Sequence, residues 1–351
     1  MRKGTILIVF LGLGIVLFIL TLDKVGFHTV REALAAFSFF QLSLILFTML
    51  LGFIFSGTLR WKAIMRSVDA DLPNFWKLAL VKTIGFSLSY ITPAALLGGE
   101  PARFFVLKGD DEDKNSRLVA SIVLDKIIQI LSSFVFFFAG LFLFLVYLDL
   151  GWSIEIIIGI MLSACVLGFW ILIRRLRKVS QEKGIFVSLA EKLYLKKLIN
   201  SKKFEIGLSE VENHAKRFFI GRKDIIPKVV FYSILEVIFV LLSFWLIIFF
   251  MGHCLTLPQS LVIKSMTDLA MIIPLPAALG TLEATQAFVL TSFNLGPATG
   301  VALSLVYRGL CLVIVFFGIL LFAFSHFRTY LKQFVAKTAK IIQLIFKNEE
   351  K

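Results

Sequence analysis

Charge is scarce in this sequence. Only 17% of its 351 residues are Asp, Glu, Lys or Arg, against about 25% in an ordinary soluble domain. Cysteine is scarcer still. Cys165, Cys254 and Cys311 lie in or beside apolar segments without paired spacing, which argues against a disulfide framework or a zinc site. His28, His214, His253 and His326 do not cluster. No Gly-x-Ser-x-Gly, His-Glu-x-x-His or P-loop pattern occurs, so nothing points to soluble enzyme chemistry. A cleavable signal peptide is not expected either. Met1-Arg2-Lys3 is followed by an apolar run to Leu22, longer than the roughly 7–15 residues of a signal core and without a small-x-small cleavage site. It reads as a retained first helix.

What fills the chain instead is apolar. Hydrophobic residues make up 58%, the mean hydropathy is +0.90, and there are 38 phenylalanines against five tryptophans. A spanning helix takes about 20 apolar residues. Besides the first run, segments 37–59, 118–148, 153–173, 229–251 and 299–325 meet that length. Two more apolar stretches, 78–107 and 259–290, are interrupted, the first by Pro93, Gly98, Gly99 and Pro101, the second by Pro274, Pro276 and Gly280. Proline costs a helix interior about 3 kcal/mol. Broken backbone at membrane depth survives only inside protein or beside a wet cavity. Each stretch therefore reads as a pair of half-helices that re-enters; an ordinary kinked span is the alternative.

The 37 basic residues orient the chain. With a cytoplasmic N-terminus and re-entrant broken stretches, segments 1–3, 60–77, 108–117, 174–228 and 326–351 face inside and carry 30 of them. The outside segments carry only Lys24 and Arg31. That bias is the positive-inside pattern, and it places both termini in the cytoplasm of a multi-pass protein of the cell membrane. Because the net charge of +14 is confined to loops, it does not indicate nucleic-acid binding. Segment 328–347 sets Leu331, Phe334, Val335, Ile342 and Ile345 near one face and Lys332, Lys337, Lys340 and Lys347 largely elsewhere, a pattern that suits an anionic leaflet. Segment 185–199 has a weaker version, equally readable as solvated chain.

The two broken stretches resemble each other. Residues 93–107 align without gaps to 276–290, with eight of 15 positions identical. Lys82 meets Lys264, Glu100 meets Glu283, and Lys126 meets Arg308 at nearly constant offset. The expected fold is an all-α polytopic membrane protein of six full spans and two re-entrant pairs arranged as inverted repeats. Its parts are 1–36 (first helix and external loop), 37–150 (first repeat), 151–228 (linking span and basic cytoplasmic loop), 229–325 (inverted second repeat) and 326–351 (basic amphipathic tail). Inverted repeats whose broken helices meet near the midplane recur in transporters, where their seam holds the substrate.

Ten charges remain inside the apolar blocks: Lys82, Arg103, Lys126, Lys264, Arg308, Glu100, Asp125, Glu236, Asp268 and Glu283. Each costs about 2.5 kcal/mol or more at the bilayer centre, so each should pair or line a wet path. Gly98 and Gly99 precede Glu100 and Arg103 at a half-helix start, a place that favours an anion. With Arg103, Lys126 and Arg308 nearby, a phosphate headgroup is the expected guest, since arginine matches phosphate in geometry. Gly98, Gly99, Glu100, Arg103, Lys126, Glu283 and Arg308 are the candidate substrate residues; structural ion pairs bracing the tips are the alternative. Asp125, Glu236 and Asp268 are candidates for a proton or ion relay. Lys82 and Lys264 are long enough to snorkel. Asp110-Asp111-Glu112-Asp113 reads as a solvated turn or a divalent-cation loop, the turn being favoured. No cofactor or metal is expected.

The motif Pro93-x-x-x-x-Gly98-Gly99-x-x-x-Arg103, followed by Pro276-x-x-x-Gly280-x-x-Glu283 and an arginine-bearing helix with Arg308, resembles the transmembrane flippase domain of lysylphosphatidylglycerol synthases, over roughly 5–325. Ala277 and Ala278 stand where that family has glycines. The resemblance implies a lipid translocase in a stand-alone form. It does not imply lysyl transfer, which belongs to a separate soluble domain larger than the polar stretch 174–228. The expected function is movement of a phospholipid or polyprenyl-linked headgroup between leaflets. The rivals are a membrane-embedded lipid transferase, with Glu100 or Asp125 as its acid or base, and an accessory subunit that docks a cytoplasmic synthase through 174–228.

Overall fold

The computed structural model describes residues 37–91, 99–148, 224–272 and 278–349, with side chains to 324 in the last range, and the isolated positions 28, 31, 32, 35, 159, 163, 167 and 218. The first helix, most of the 153–173 span and of the 174–228 loop, and both proline-bearing tips (92–98 and 273–277) lie outside the described residues.

Among the described residues there are eight helices and no strand. Helix α1, Phe39–Ser67, begins on a capping box. The Ser38 hydroxyl accepts the Gln41 N–H at 3.3 Å, and the Gln41 side chain accepts the Ser38 N–H at 2.7 Å, so two otherwise orphaned donors are satisfied. Midway it passes through a π-helical turn, Leu51–Ser56. Helix α2, Phe75–Ile91, is capped by Asn74, which accepts the Lys77 N–H at 2.9 Å. Helix α3, Glu100–Leu107, carries Pro101 in its first turn, where a missing N–H is harmless. Helix α4 is Glu112–Leu148. The acidic run turns out to be its cap: Asp111 accepts the Asp113 N–H at 3.0 Å, and Asp113 pairs with Arg117 at 2.7 Å. Glu112 and Asp113 also complement the helix dipole.

The second half follows the same order. Helix α5 is Ile226–Phe250, α6 is Leu257–Ile272, α7 is Thr281–Ser292, and α8 is Pro297–Glu349. The expected broken stretches are thus α2 with α3 and α6 with α7. Helix α8 does not stop at the expected end of its span but runs on through the tail as one helix. By length and composition, α1, α4, α5 and α8 can each cross a membrane. Their surfaces are apolar, with Phe39, Phe134, Phe231, Phe316 and Phe324 exposed.

Contacts between the halves are reciprocal. Helix α2 packs on α8, and α6 packs on α4; α1 and α5 meet along the π-helical turn. Both crossings use one device. Ser87 on α2 donates to the Ile314 carbonyl on α8 at 3.3 Å, and Ser265 on α6 donates to the Phe136 carbonyl on α4 at 3.1 Å. The glycine one turn beyond each acceptor, Gly318 and Gly140, leaves room for the serine. A Cβ would lie 1.9 Å from the Ser87 hydroxyl at Gly318 and 2.0 Å from the Ser265 hydroxyl at Gly140. These contacts pair Ser87 with Ser265, so within α2 and α6 the register differs by one helical turn from the Lys82–Lys264 match.

Two glycines of α8 should therefore answer oppositely to alanine. Gly309 has nothing within 4 Å of an added Cβ, so Gly309→Ala should stabilise by about 0.5–1 kcal/mol through backbone entropy. Gly318→Ala would also meet the Thr83 carbonyl at 2.9 Å and should cost about 1–3 kcal/mol through overpacking. Thermal unfolding of the purified protein in detergent measures both; equal effects would contradict the α2–α8 crossing.

Candidate functional site

Between the two halves lies a cavity of about 320 Å³. Seven of the ten intramembrane charges line it: Lys82, Glu100, Arg103, Lys126, Glu236, Lys264 and Asp268. An eighth charge on its wall, Arg60, was not expected, because the apolar run before it ends where a loop was read. Helix α1 continues to Ser67 instead, and Arg60 is 1% exposed. The sequence did carry a signal. Gly52, Ser56 and Gly57 put small residues just ahead of Arg60, and such a series marks close helix packing rather than a helix end. Gly52 sits against the Glu236 carbonyl of α5, and Gly57 leaves space for the Lys82 stem.

Asp125, which is 0% exposed, organises one wall. It accepts from Arg60 Nε at 2.9 Å, Lys82 Nζ at 2.6 Å and Arg103 Nη2 at 2.9 Å. Arg60 also pairs through Nη1 with Glu236 of α5 and thereby ties the two halves together. Arg103 stacks on Trp61, its guanidinium carbon 3.9 Å from the ring centre, a cation–π contact that strengthens when desolvated. Asp125 itself is not among the lining residues. Three cations enclose it, whereas Glu236 and Asp268, the other relay candidates, do line the cavity.

Glu100 and Arg103 do not pair with each other. Glu100 takes Lys126 at 3.0 Å, and Arg103 takes Asp125. In the second half Glu283 takes Arg308. The expected charge matches Glu100/Glu283 and Lys126/Arg308 therefore correspond to one recurring ion pair, from the start of the second half-helix to the long helix after it. Their settings differ. Glu100 and Lys126 face the cavity, whereas Glu283 and Arg308 are not among its lining residues. Glu283 is 0% exposed and accepts the Gly280 N–H at 2.9 Å, capping α7. Arg308 donates to the Ala278 carbonyl at 2.9 Å. These two residues brace a tip. Ala278, standing where glycine was expected, has φ +49°, a region that costs an L-residue roughly 1–2 kcal/mol.

Lys82 and Lys264 do not snorkel. Both are buried, Lys82 on Asp125 and Lys264 on Asp268. Gly98 lies outside the described residues. The Gly99 N–H is not open to a guest, because it donates to Ser89 at 2.9 Å. Gly99 serves packing: a Cβ there would lie 1.8 Å from the Gly85 carbonyl. No rotamer relieves a clash with main chain, so Gly99→Ala should separate α2 from α3 at a cost of about 1–3 kcal/mol. A melting temperature equal to that of the parent protein would contradict that close approach.

The most exposed lining residues are apolar, whereas Glu100 and Asp268 are only partly exposed. Ile130 and Phe134 of α4 and Ile272 at the end of α6 are exposed, so the opening lies between those helices. A charged floor thus faces an apolar mouth.

Comparison with known proteins agrees with this architecture. The chain is 23% identical over 257 residues to the UPF0104 membrane protein MJ1595 of Methanocaldococcus jannaschii, covering 71% of this chain and 74% of that one. The model of the lysylphosphatidylglycerol synthase TM region matches residues 6–341. With its long apolar helices and that match across nearly its whole length, the chain is an integral multi-pass membrane protein and belongs to the lysylphosphatidylglycerol synthase TM region family.

Proposed function

We propose that this protein is a lipid translocase, moving a phospholipid or lipid-linked headgroup between leaflets of the cell membrane. The observation that carries the reading is the pairing of a charged, buried floor with an apolar mouth between α4 and α6. A cavity of about 320 Å³ is at the lower end of small-ligand sites, about 300–1,000 Å³. It takes a polar headgroup while the acyl chains remain in lipid. Reciprocal packing of the halves supports alternating access, in which one unit rocks against the other about a fixed site. The loop charges support cytoplasmic termini.

Reconstitution into proteoliposomes with fluorescent phospholipids and polyprenyl-phosphate carriers tests this directly. Quenching of inner-leaflet probe above the protein-free level is the expected result. No movement of any lipid class, with product formed from a lipid and a soluble donor instead, would favour the transferase. Lys126→Gln removes a wall cation that pairs with Glu100. A hydrogen bond to a charged group contributes about 1.5–3 kcal/mol, so translocation should slow at least about tenfold, and a melting curve measured alongside separates that loss from a loss of fold. Unchanged translocation would place Lys126 outside the path.

A further inference from the structure

Helix α4 presents to the cavity neutral polar side chains that make no hydrogen bond among the described residues. They are Gln129, Ser132 and Ser133. All three line the cavity, and all three are partly exposed. Their polar atoms are not sealed in protein, so they meet open space. A helical serine ordinarily returns its hydroxyl to a carbonyl one turn back. Ser121 of α4 does so with Leu118 at 2.7 Å, and Ser265 of α6 with Leu261 at 2.9 Å. On the other cavity walls Ser89 accepts the Gly99 N–H, Ser233 donates to the Val229 carbonyl, and Thr267 donates to the Ile263 carbonyl.

Their order along α4 points to a guest. Lys126, paired with Glu100, stands at the charged floor. Gln129 lies nearly one turn further along the helix, and Ser132 and Ser133 a turn beyond that. At 1.5 Å per residue the neutral stretch begins about 4–5 Å from Lys126 along the axis and ends about 10 Å from it. From Phe134 to Val146 the helix is apolar, and Phe134 is exposed at the mouth. The wall thus runs from charged to neutral-polar to apolar. A polar group in a spanning helix costs free energy unless it finds a partner. Water can serve a hydroxyl, but water does not explain why the neutral groups lie between the charge and the hydrocarbon.

We infer that Gln129, Ser132 and Ser133 form a subsite for the ester linkage of a glycerolipid. The same order runs along such a molecule: a charged headgroup, then neutral ester carbonyls on glycerol, then acyl chains. The Gln129 amide and the serine hydroxyls donate to the ester carbonyls while the headgroup lies at the floor. A polyprenyl phosphate passes from phosphate to hydrocarbon with no carbonyl between. An ether-linked lipid offers only weakly accepting ether oxygens. Both leave the donors of α4 unmet. The subsite rests on the translocase reading, and of the two guest classes in that reading it selects the phospholipid.

Native mass spectrometry of the full chain tests the inference. The protein is released from micelles holding phosphatidylglycerol and phosphatidylethanolamine, each as diacyl ester and as dialkyl ether, together with a polyprenyl phosphate. Comparison within one headgroup cancels the headgroup's own contribution. Each ester form should be retained over its ether form by about tenfold, the equivalent of about 1.4 kcal/mol. Gln129→Leu combined with Ser132→Ala and Ser133→Ala should bring ester retention down to the ether level and leave ether retention unchanged, a split that a general loss of fold cannot produce. Equal retention of ester and ether forms by the unmodified protein would overturn the inference. So would an ester preference that survives the triple variant, or retention of polyprenyl phosphate above the ester lipids. Displacement of the ester lipid by triacetin at equal concentration would overturn the lipid source. Ester-selective retention without movement in proteoliposomes would sink the translocase and leave the subsite standing; movement of ester and ether lipids at equal rates, with equal retention, would do the reverse.

Discussion

Asp125→Asn is expected to be among the most damaging substitutions in this protein, costing about 3–5 kcal/mol. The carboxylate is 0% exposed and accepts from Arg60, Lys82 and Arg103. Asparagine keeps the size and one acceptor but removes the charge. Three buried cations are then left with Glu236 as their recorded carboxylate, bound to Arg60 alone. Removing one member of a buried ion network leaves the others uncompensated, which costs more than the network contributed. The expected result is loss of monodisperse protein on size exclusion and a broad, early melt. Removing a cation as well should recover part of the loss, so Asp125→Asn combined with Lys82→Met should melt later than Asp125→Asn alone. A single variant within about 1 kcal/mol of the parent would mean that the cations do not converge on Asp125.

Arg308→Ala should cost a similar amount, about 3–5 kcal/mol, and its failure should look structural. Glu283 would lose its cation while wholly buried, and the Ala278 carbonyl would lose the Arg308 donor. The cap of α7 depends on that carboxylate through the Gly280 N–H. Arg308→Met paired with Glu283→Gln keeps an acceptor for the cap and removes both charges, so it should recover most of the stability. Read as a substrate contact, Arg308 would lose translocation with a normal melt, and the double variant would stay inactive. Parallel measurements of melting and lipid movement separate the two roles. A normal melt for Arg308→Ala would return Arg308 to the substrate path.

Much of the fold was legible because the bilayer allows so few solutions. Runs such as 229–251 announce spans by length, and prolines or glycines in 78–107 and 259–290 forced helix pairs. The expected spans differ from α1, α4, α5 and α8 mainly at their ends, where polar residues such as Glu112 and Lys114 continue a helix beyond the apolar run. The charged residues were legible as a set but not as partners. Glu100 and Arg103 share a helix turn, yet each reaches a different residue of α4. Spacing along one helix fixes a face; it does not fix what the next helix presents to that face. Arg308 was grouped with the substrate residues for the same reason. Its place behind the α7 tip depends on the crossing of α7 with α8, which spacing within α8 does not encode.

The π-helical turn in α1 has a consequence for rotational phase. A π-turn holds one residue more than the α-helical path it replaces, and each residue of an α-helix advances the side chains by about 100°. Every residue after Leu51–Ser56 is thus turned by about that angle relative to an uninterrupted helix. Arg60 comes just after the turn and points at Asp125 and Glu236. With one residue fewer, the same arginine would sweep out of the cavity, and Asp125 and Glu236 would each lose a cation. The inner charge pattern therefore depends on where a helix is wound differently as much as on which residues are charged. A single-residue insertion or deletion in a long apolar helix can move a cation between lipid and cavity without changing any residue that touches the guest.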